Sequence, residues 1–243
     1  MLDADPASGP HHAGHVTSAK NNLALRIASA AVMAPLALLT AYLGGWPFAL
    51  FWGAASIAVL WEWVGLVTGP ACGRWIVAGI GYAGAMLLAP MLLRGNDDDG
   101  FVAMVLLFAV VWTTDILGYF VGRAVGGPKL LPAVSPKKTW SGAVAGAIGA
   151  MIAAVLIAGT FGPFDRAMIA IIALLLSIAA QAGDLLESWV KRQFGAKDAG
   201  RFIPGHGGVM DRLDGFWAAA VVGCLIGITR GGFDGAARGL LIW

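Results

Sequence analysis

This 243-residue chain is short of charge. Asp, Glu, Lys and Arg make up 12% of it, about half the share of an ordinary soluble domain. That excludes a well-solvated globular surface. Cysteine is scarce too, with only two residues. Cys72 and Cys224 lie far apart, form no CxxC or Cys/His pattern, and so offer no thiolate zinc site. A disulfide between them is not the expected reading. No GxxxxGK[ST] occurs, which excludes a P-loop nucleotide site, and no Ser/His/Asp arrangement is legible. The formal net charge of +2 is too small to call for nucleic acid. Residues 1–20 contain no apolar stretch followed by a small-residue cleavage site, so no cleaved signal peptide is expected.

What the chain has is hydrophobicity, at 58% of residues and a mean hydropathy of +0.77. A bilayer core is crossed by about 20 apolar residues in a helix. Seven stretches qualify, roughly 23–43, 46–67, 74–93, 101–122, 140–160, 167–187 and 216–232. In the last, GITRGGFDGAARGLLIW over 227–243 either continues along the interface or forms a short extra helix. The fold class expected is an all-α, polytopic integral membrane bundle of about seven transmembrane helices. Gly and Ala recur inside the spans, as in GAVAGAIGA over 142–150, and allow close helix packing. The polar, His-bearing residues 1–22 read as a disordered cytosolic tail. Residues 23–243 read as a single membrane-embedded domain.

The distribution of positive charge orients this bundle. With the N-terminus cytoplasmic, twelve of the sixteen lysines and arginines face the cytoplasm, leaving Arg94, Arg166, Arg230 and Arg238 opposite. The positive-inside rule favours that orientation. Two polar loops, 123–139 and 188–215, then share the cytoplasmic side.

Three acids fall in or at the ends of apolar spans: Glu62, Asp115 and Asp184. Ionisable groups are costly there and are functional candidates by default. Asp184, Glu187, Ser188 and Lys191 share one helical face by their spacing. Such a stripe suits a hard cation together with a phosphate. A carboxylate paired with a cation for structure alone is the alternative for Asp115 and Asp184. Glu62, between Trp61 and Trp63, suits interfacial anchoring at least as well as chemistry.

The first loop is broken by Pro128, Pro132 and Pro136 and carries Lys129, Lys137 and Lys138. It leads into a helix start, where free N–H groups and ammoniums make an anion site. Ordinary flanking charge against lipid headgroups explains it equally well. In the second loop, Pro204-Gly205-His206-Gly207-Gly208 must turn tightly, and glycines let backbone amides approach an anion. Asp211 and Asp214 share a face of the following helix. Acids in a first helical turn also complement the helix dipole. The gathering of acids, cations and glycines at one face fits metal-assisted phosphoryl chemistry better than a dipole effect alone. His206 stays open between base, phosphate contact and turn former.

Ser188-x-Val190-Lys191-Arg192-x4-Lys197-Asp198-x-Gly200-x2-Ile203-Pro204-x-His206-Gly207-Gly208-Val209-x-Asp211-Arg212-Leu213-Asp214 resembles the full signature of the phosphatidate cytidylyltransferases. Asp115…Gly118-Tyr119…Gly122-Arg123, the stretch from Ser135 to Gly142, and Gln181…Asp184…Glu187-Ser188 also resemble that family, and Trp61-Glu62-Trp63 does so more weakly. The resemblance implies that CTP and phosphatidate react to CDP-diacylglycerol and pyrophosphate, in a catalytic half over about 110–230. It implies Mg²⁺, often with a monovalent cation such as K⁺. It carries metal-site roles to Asp184 and Asp211; Lys197 and Asp214 match the signature and complete the catalytic set. Substrate contacts are expected from Asp115, Lys137, Lys138, Ser188, Lys191, Arg192, His206, Gly207, Gly208 and Arg212. The expected partners are the two substrates and the bilayer, with a homodimer allowed and no nucleic acid. The expected location is a bacterial inner membrane, with the site on the cytoplasmic face. Two rivals remain. A CTP-dependent polyprenol or phytol kinase would release CDP instead of pyrophosphate. A small transporter would spread its polar residues across the bilayer instead of clustering them.

Overall fold

A computed structural model describes residues 29, 31–67, 72–200 and 207–243. In hydrocarbon every backbone N–H and C=O must be satisfied internally, and these apolar runs accordingly form helices. Helix α1 spans Ala31–Leu43. It is followed by α2 (Gly45–Leu66), α3 (Cys72–Arg94), α4 (Asp98–Val125), α5 (Trp140–Phe161), α6 (Arg166–Gln193), α7 (Met210–Gly231) and the short α8 (Ala236–Leu241). Helices α2 to α7 are each long and apolar enough to cross a membrane. The protein is therefore an all-α, multi-pass membrane bundle. Of the seven expected spans, the first is represented by the 13 residues of α1, and most of the residues before it lie outside the described part. So does the expected tail over 1–22.

Two helices run further than their apolar cores. Helices α4 and α6 continue for 28 residues each, so their polar ends emerge as extensions of membrane helices. The ends are set by local chemistry. Asp165 caps α6 by accepting from the amides of Ala167 (2.9 Å) and Met168 (3.1 Å). Thr139 caps α5 by accepting from Gly142 N at 3.2 Å. The loop after α4 is more ordered than its prolines suggested. It forms an antiparallel hairpin of β1 (Lys129–Leu131) and β2 (Ser135–Thr139), paired Lys129 to Thr139 and Leu131 to Ser135. The chain's last residues adopt the extra-helix alternative, with α8 folded back and Leu240 fully buried.

Helix α4 is the most enclosed of the six and packs against α5 along a seam of small residues. A Cβ on Gly146 would stand 2.7 Å from the carbonyl oxygen of Thr114, and one on Gly142 would stand 3.1 Å from Gly122 Cα. Thr114 then crosses to α6 through a 2.7 Å hydroxyl pair with Ser177. On the other flank, Phe216 of α7 stacks between Trp52 of α2 (4.7 Å) and Phe108 of α4 (5.1 Å). The outer face of α5 presents Val144, Ile148, Ile152 and Leu156, each 52–67% exposed. Lipid is the solvent that makes such a face stable. Cys72 and Cys224 are free thiols.

The helices alternate in direction and give the bundle two unlike ends. One end holds the turns after α3, α5 and α7. There the buried Arg94 donates to the carbonyls of Ala41, Tyr42, Gly95 and Asp97. The other end collects the close of α2, α4 and α6, the start of α5 and α7, and the hairpin. Nearly all candidate residues lie there.

Candidate active site

Helices α6 and α7 meet backbone to backbone beside the site. A Cβ on Gly183 would stand 2.5 Å from the carbonyl oxygen of Asp214, and one on Gly215 would stand 3.1 Å from that of Ala180. This close approach brings side chains of the two helices together. Asp184 and Glu187 are one turn apart on α6, and Asp214 faces them from α7. One carboxylate oxygen from each of the three lies within 4.8 Å of the others. The sequence placed Asp184 and Glu187 on one face, and the resemblance put Asp214 in the catalytic set; that Asp214 meets these two acids directly is decided by the packing of α6 on α7.

The three acids differ in surroundings. Asp184 is the most open, with its side chain 29% exposed, and it forms an ion pair with Lys138 of the hairpin. Ser188 Oγ donates to it at 3.4 Å. Glu187 is 1% exposed, and neither of its oxygens has a well-directed hydrogen bond. Its contact with Lys191 Nζ, at 2.8 Å, is an ion pair of poor hydrogen-bond geometry. Hard oxygen donors this close together, one of them buried and short of donors, fit a divalent cation such as Mg²⁺.

Asp211 is arranged differently. Its carboxylate accepts from Lys191 Nζ (2.6 Å), from the amide of Ala199 (3.0 and 3.2 Å) and from the amide of Gly208 (2.9 Å). Gly207 adopts φ +88°, a left-handed conformation that side chains disfavour, and this lets the loop return to Asp211. Lys191 therefore bridges Asp211 and Glu187. Of the Gly-rich turn expected to meet an anion, Gly208 gives its amide to the carboxylate of Asp211 within the chain itself.

The remaining candidates surround this centre. Asp115 stands on the emerging end of α4, with Asp184, Lys138 and Arg212 as its electrostatic neighbours. Lys137, Lys197 and Arg212 are exposed, and so is Arg192, whose guanidinium donates to the carbonyl of Ala196 at 3.0 Å. His206 lies outside the described residues. The structure thus groups Asp184, Ser188, Lys138, Lys191, Asp211 and Asp214 and adds Glu187. It also gives Glu62 a place. This residue is 4% exposed and accepts from the amides of Val209 (2.9 Å) and Met210 (2.8 Å), where α7 begins. An acid within an apolar span was the available signal for Glu62; its partners, 147 and 148 positions on, were not legible.

Three acids, a bridging lysine, a partly exposed lysine paired with Asp184 and exposed cations now stand at one end of a membrane bundle. They can hold a metal ion and several phosphates where lipid meets water. Comparison with known proteins points the same way. Residues 69–228 match the sequence profile of the cytidylyltransferase family. A phosphatidate cytidylyltransferase of Brucella abortus biovar 1 (strain 9-941) is 42% identical, over 85% of this chain and 94% of that protein. The protein of that name from Rickettsia bellii (strain RML369-C) is 36% identical, over 80% of this chain and 86% of its own length. A third, from Staphylococcus saprophyticus, is 44% identical over 52% of this chain and 49% of its own.

Proposed function

The chain belongs to the cytidylyltransferase family, and from that premise we infer that it transfers a cytidylyl group from CTP to phosphatidate, giving CDP-diacylglycerol and pyrophosphate. The observation that carries this reading is the cluster of Asp184, Glu187 and Asp214, with Lys138 on its rim, at the polar end of a membrane-spanning bundle. A lipid phosphate reaches such a place from the bilayer, and a nucleotide reaches it from water.

In the reaction a phosphate oxygen of phosphatidate attacks the α-phosphorus of CTP. A new P–O bond forms, the bond to the β-phosphate oxygen breaks, and pyrophosphate leaves with the electron pair. Little covalent chemistry falls to the protein; positioning and charge neutralisation suffice. Asp184, with Glu187 and Asp214, would hold Mg²⁺, and Asp211 borders that set through Lys191. Mg²⁺ bound there supplies neutralising charge to the triphosphate. Lys138 is held by Asp184 yet partly exposed, so it is placed to turn towards a phosphate. Arg192, Lys197, Arg212 and Lys137 supply positive charge around the rim. Lys191 neutralises Glu187 and Asp211 and fixes their orientation. K⁺ as a second ion, a homodimer, and a bacterial inner membrane with the site facing the cytoplasm extend this reading.

The test is detergent-solubilised protein with cytidine-labelled CTP, phosphatidate and Mg²⁺. The expected products are a cytidine-labelled lipid and pyrophosphate, with activity lost on chelation. Asp184→Asn should lower the Mg²⁺-dependent rate by about 100-fold or more, as loss of a metal's charge-stabilising ligand does. Release of CDP with no labelled lipid would replace this reading with the kinase.

A further inference from the structure

We propose that Glu62, in the N-terminal half of the bundle and outside the matched segment 69–228, is a positioning residue of the active site. It clamps the backbone from which Asp211 projects. The inference rests on the reaction read above only for its kinetic consequence; the clamp itself stands on geometry.

Three successive amides, those of Gly208, Val209 and Met210, open into α7. Asp211 takes the first, at 2.9 Å. Glu62 takes the other two, Oε1 from Val209 at 2.9 Å and Oε2 from Met210 at 2.8 Å. Helix α7 has no cap of its own, since Val209 stands at its N-cap position and no side chain there accepts a hydrogen bond. The first amides of a helix lack intrahelical partners, and a carboxylate also complements the positive end of the helix. Glu62 supplies both functions from another helix of the bundle. The fit extends to the loop. A Cβ on Gly208 would stand 2.6 Å from Glu62 Oε2, and one on Gly200 would stand 2.5 Å from Oε1. Two glycines of the polar loop are therefore seated against this one carboxylate. Ala199, next to Gly200, donates its amide to Asp211. Glu62 thus binds one of the two stretches of backbone that hold the Asp211 carboxylate and packs closely against the other. Through Lys191, that carboxylate in turn fixes Glu187 in the acid cluster.

The experiment uses the full chain in detergent with Glu62→Ala, Glu62→Gln and Gly208→Ala, alone and combined. Hydrogen exchange at the amides of Ala199, Gly208, Val209 and Met210 reads the clamp, and CTP turnover per folded molecule reads its consequence. Glu62→Ala should raise exchange at those amides about 10-fold or more and lower kcat/KM by about 10- to 100-fold, the range for groups that orient metal ligands. Glu62→Gln keeps its volume and one accepting oxygen, and should recover part of both. Gly208→Ala should impair the wild type but add little to Glu62→Ala, because the colliding carboxylate is gone. Coupling of that kind marks direct contact. If Glu62→Ala does not fold, Glu62→Asp, which withdraws the carboxylate from Gly208 by one methylene, decides the matter with Gly208→Ala by the same non-additivity. A variant that melts earlier but turns over at the wild-type rate per folded molecule would overturn the positioning role. Unchanged exchange at those four amides, or fully additive losses, would overturn the clamp. A wild type that protects those four amides yet labels no lipid would sink the reaction and leave the clamp standing.

Discussion

Replacing Lys191 with Met isolates the charge that joins α6 to α7. Met nearly preserves the volume of the lysine stem and removes only the ammonium. In the native protein that ammonium is 2.8 Å from Glu187 and 2.6 Å from Asp211, and the three side chains are 11%, 1% and 9% exposed. Each contact carries a raw attraction of about 6 kcal/mol at an effective dielectric constant of about 20. Desolvation of the ions cancels most of this, and removing one partner of a buried pair costs about 3–5 kcal/mol. Asp211 keeps its two backbone donors after the substitution. Glu187, with no well-directed hydrogen bond of its own, keeps nothing comparable. The penalty therefore concentrates on Glu187. For a chain of this size it corresponds to a fall in Tm of about 6–20 °C. The assay is thermal unfolding in detergent with divalent ions chelated, so that no metal substitutes for the missing cation. Adding Glu187→Gln should then restore about half of the loss, because one buried negative charge is neutralised. Refutation would be a Lys191→Met protein melting within about 2 °C of wild type, or a double variant no more stable than the single one. Either result would mean that the ion triad is not buried as described.

Arg94 and Gly146 supply contrasting tests. Arg94→Ala strips donors from four carbonyls at the end of the bundle away from the acids, so it should cost about 3 kcal/mol or more. CTP turnover per folded molecule should stay at the wild-type level, and a selective loss of kcat would contradict the separation of the two ends. Gly146→Leu should split the α4–α5 seam, because even a Cβ there stands 2.7 Å from Thr114 O. The expected outcome is little folded protein on size-exclusion chromatography, whereas Ile148→Leu, on the lipid-facing surface, should behave as wild type.

The long helices were legible because their cause is local. A run of apolar residues in a solvent without hydrogen-bond partners has one stable backbone, so α2 to α7 follow from sequence with shifts only at their ends. Those shifts matter, since α6 runs past the apolar span 167–187 and carries Lys191 on a helical extension, on the face it shares with Asp184 and Glu187. The hairpin over 129–139 was hidden by its prolines, which forbid a helix but leave pairing undetermined. It matters as well, because it carries Lys138 to Asp184. The second polar loop announced itself through its charge and its glycines, but the partners of those glycines did not. Gly208 read as a place where the backbone meets an anion; it and Gly200 face Glu62.

By itself, then, the order of residues determined the membrane class, the gathering of acids and cations at one end, and the family. Each of these depends on composition, helical period or motif within a short window. Only the tertiary structure decided which acids share a site. Asp184 and Asp214 meet because Gly183 and Gly215 let two helices touch, Asp211 is held by Lys191 and two amides, and Glu62 closes the set from the far half of the chain. Such contacts are fixed by the packing of whole helices, and a carboxylate's reach of a few ångströms turns that packing into chemistry.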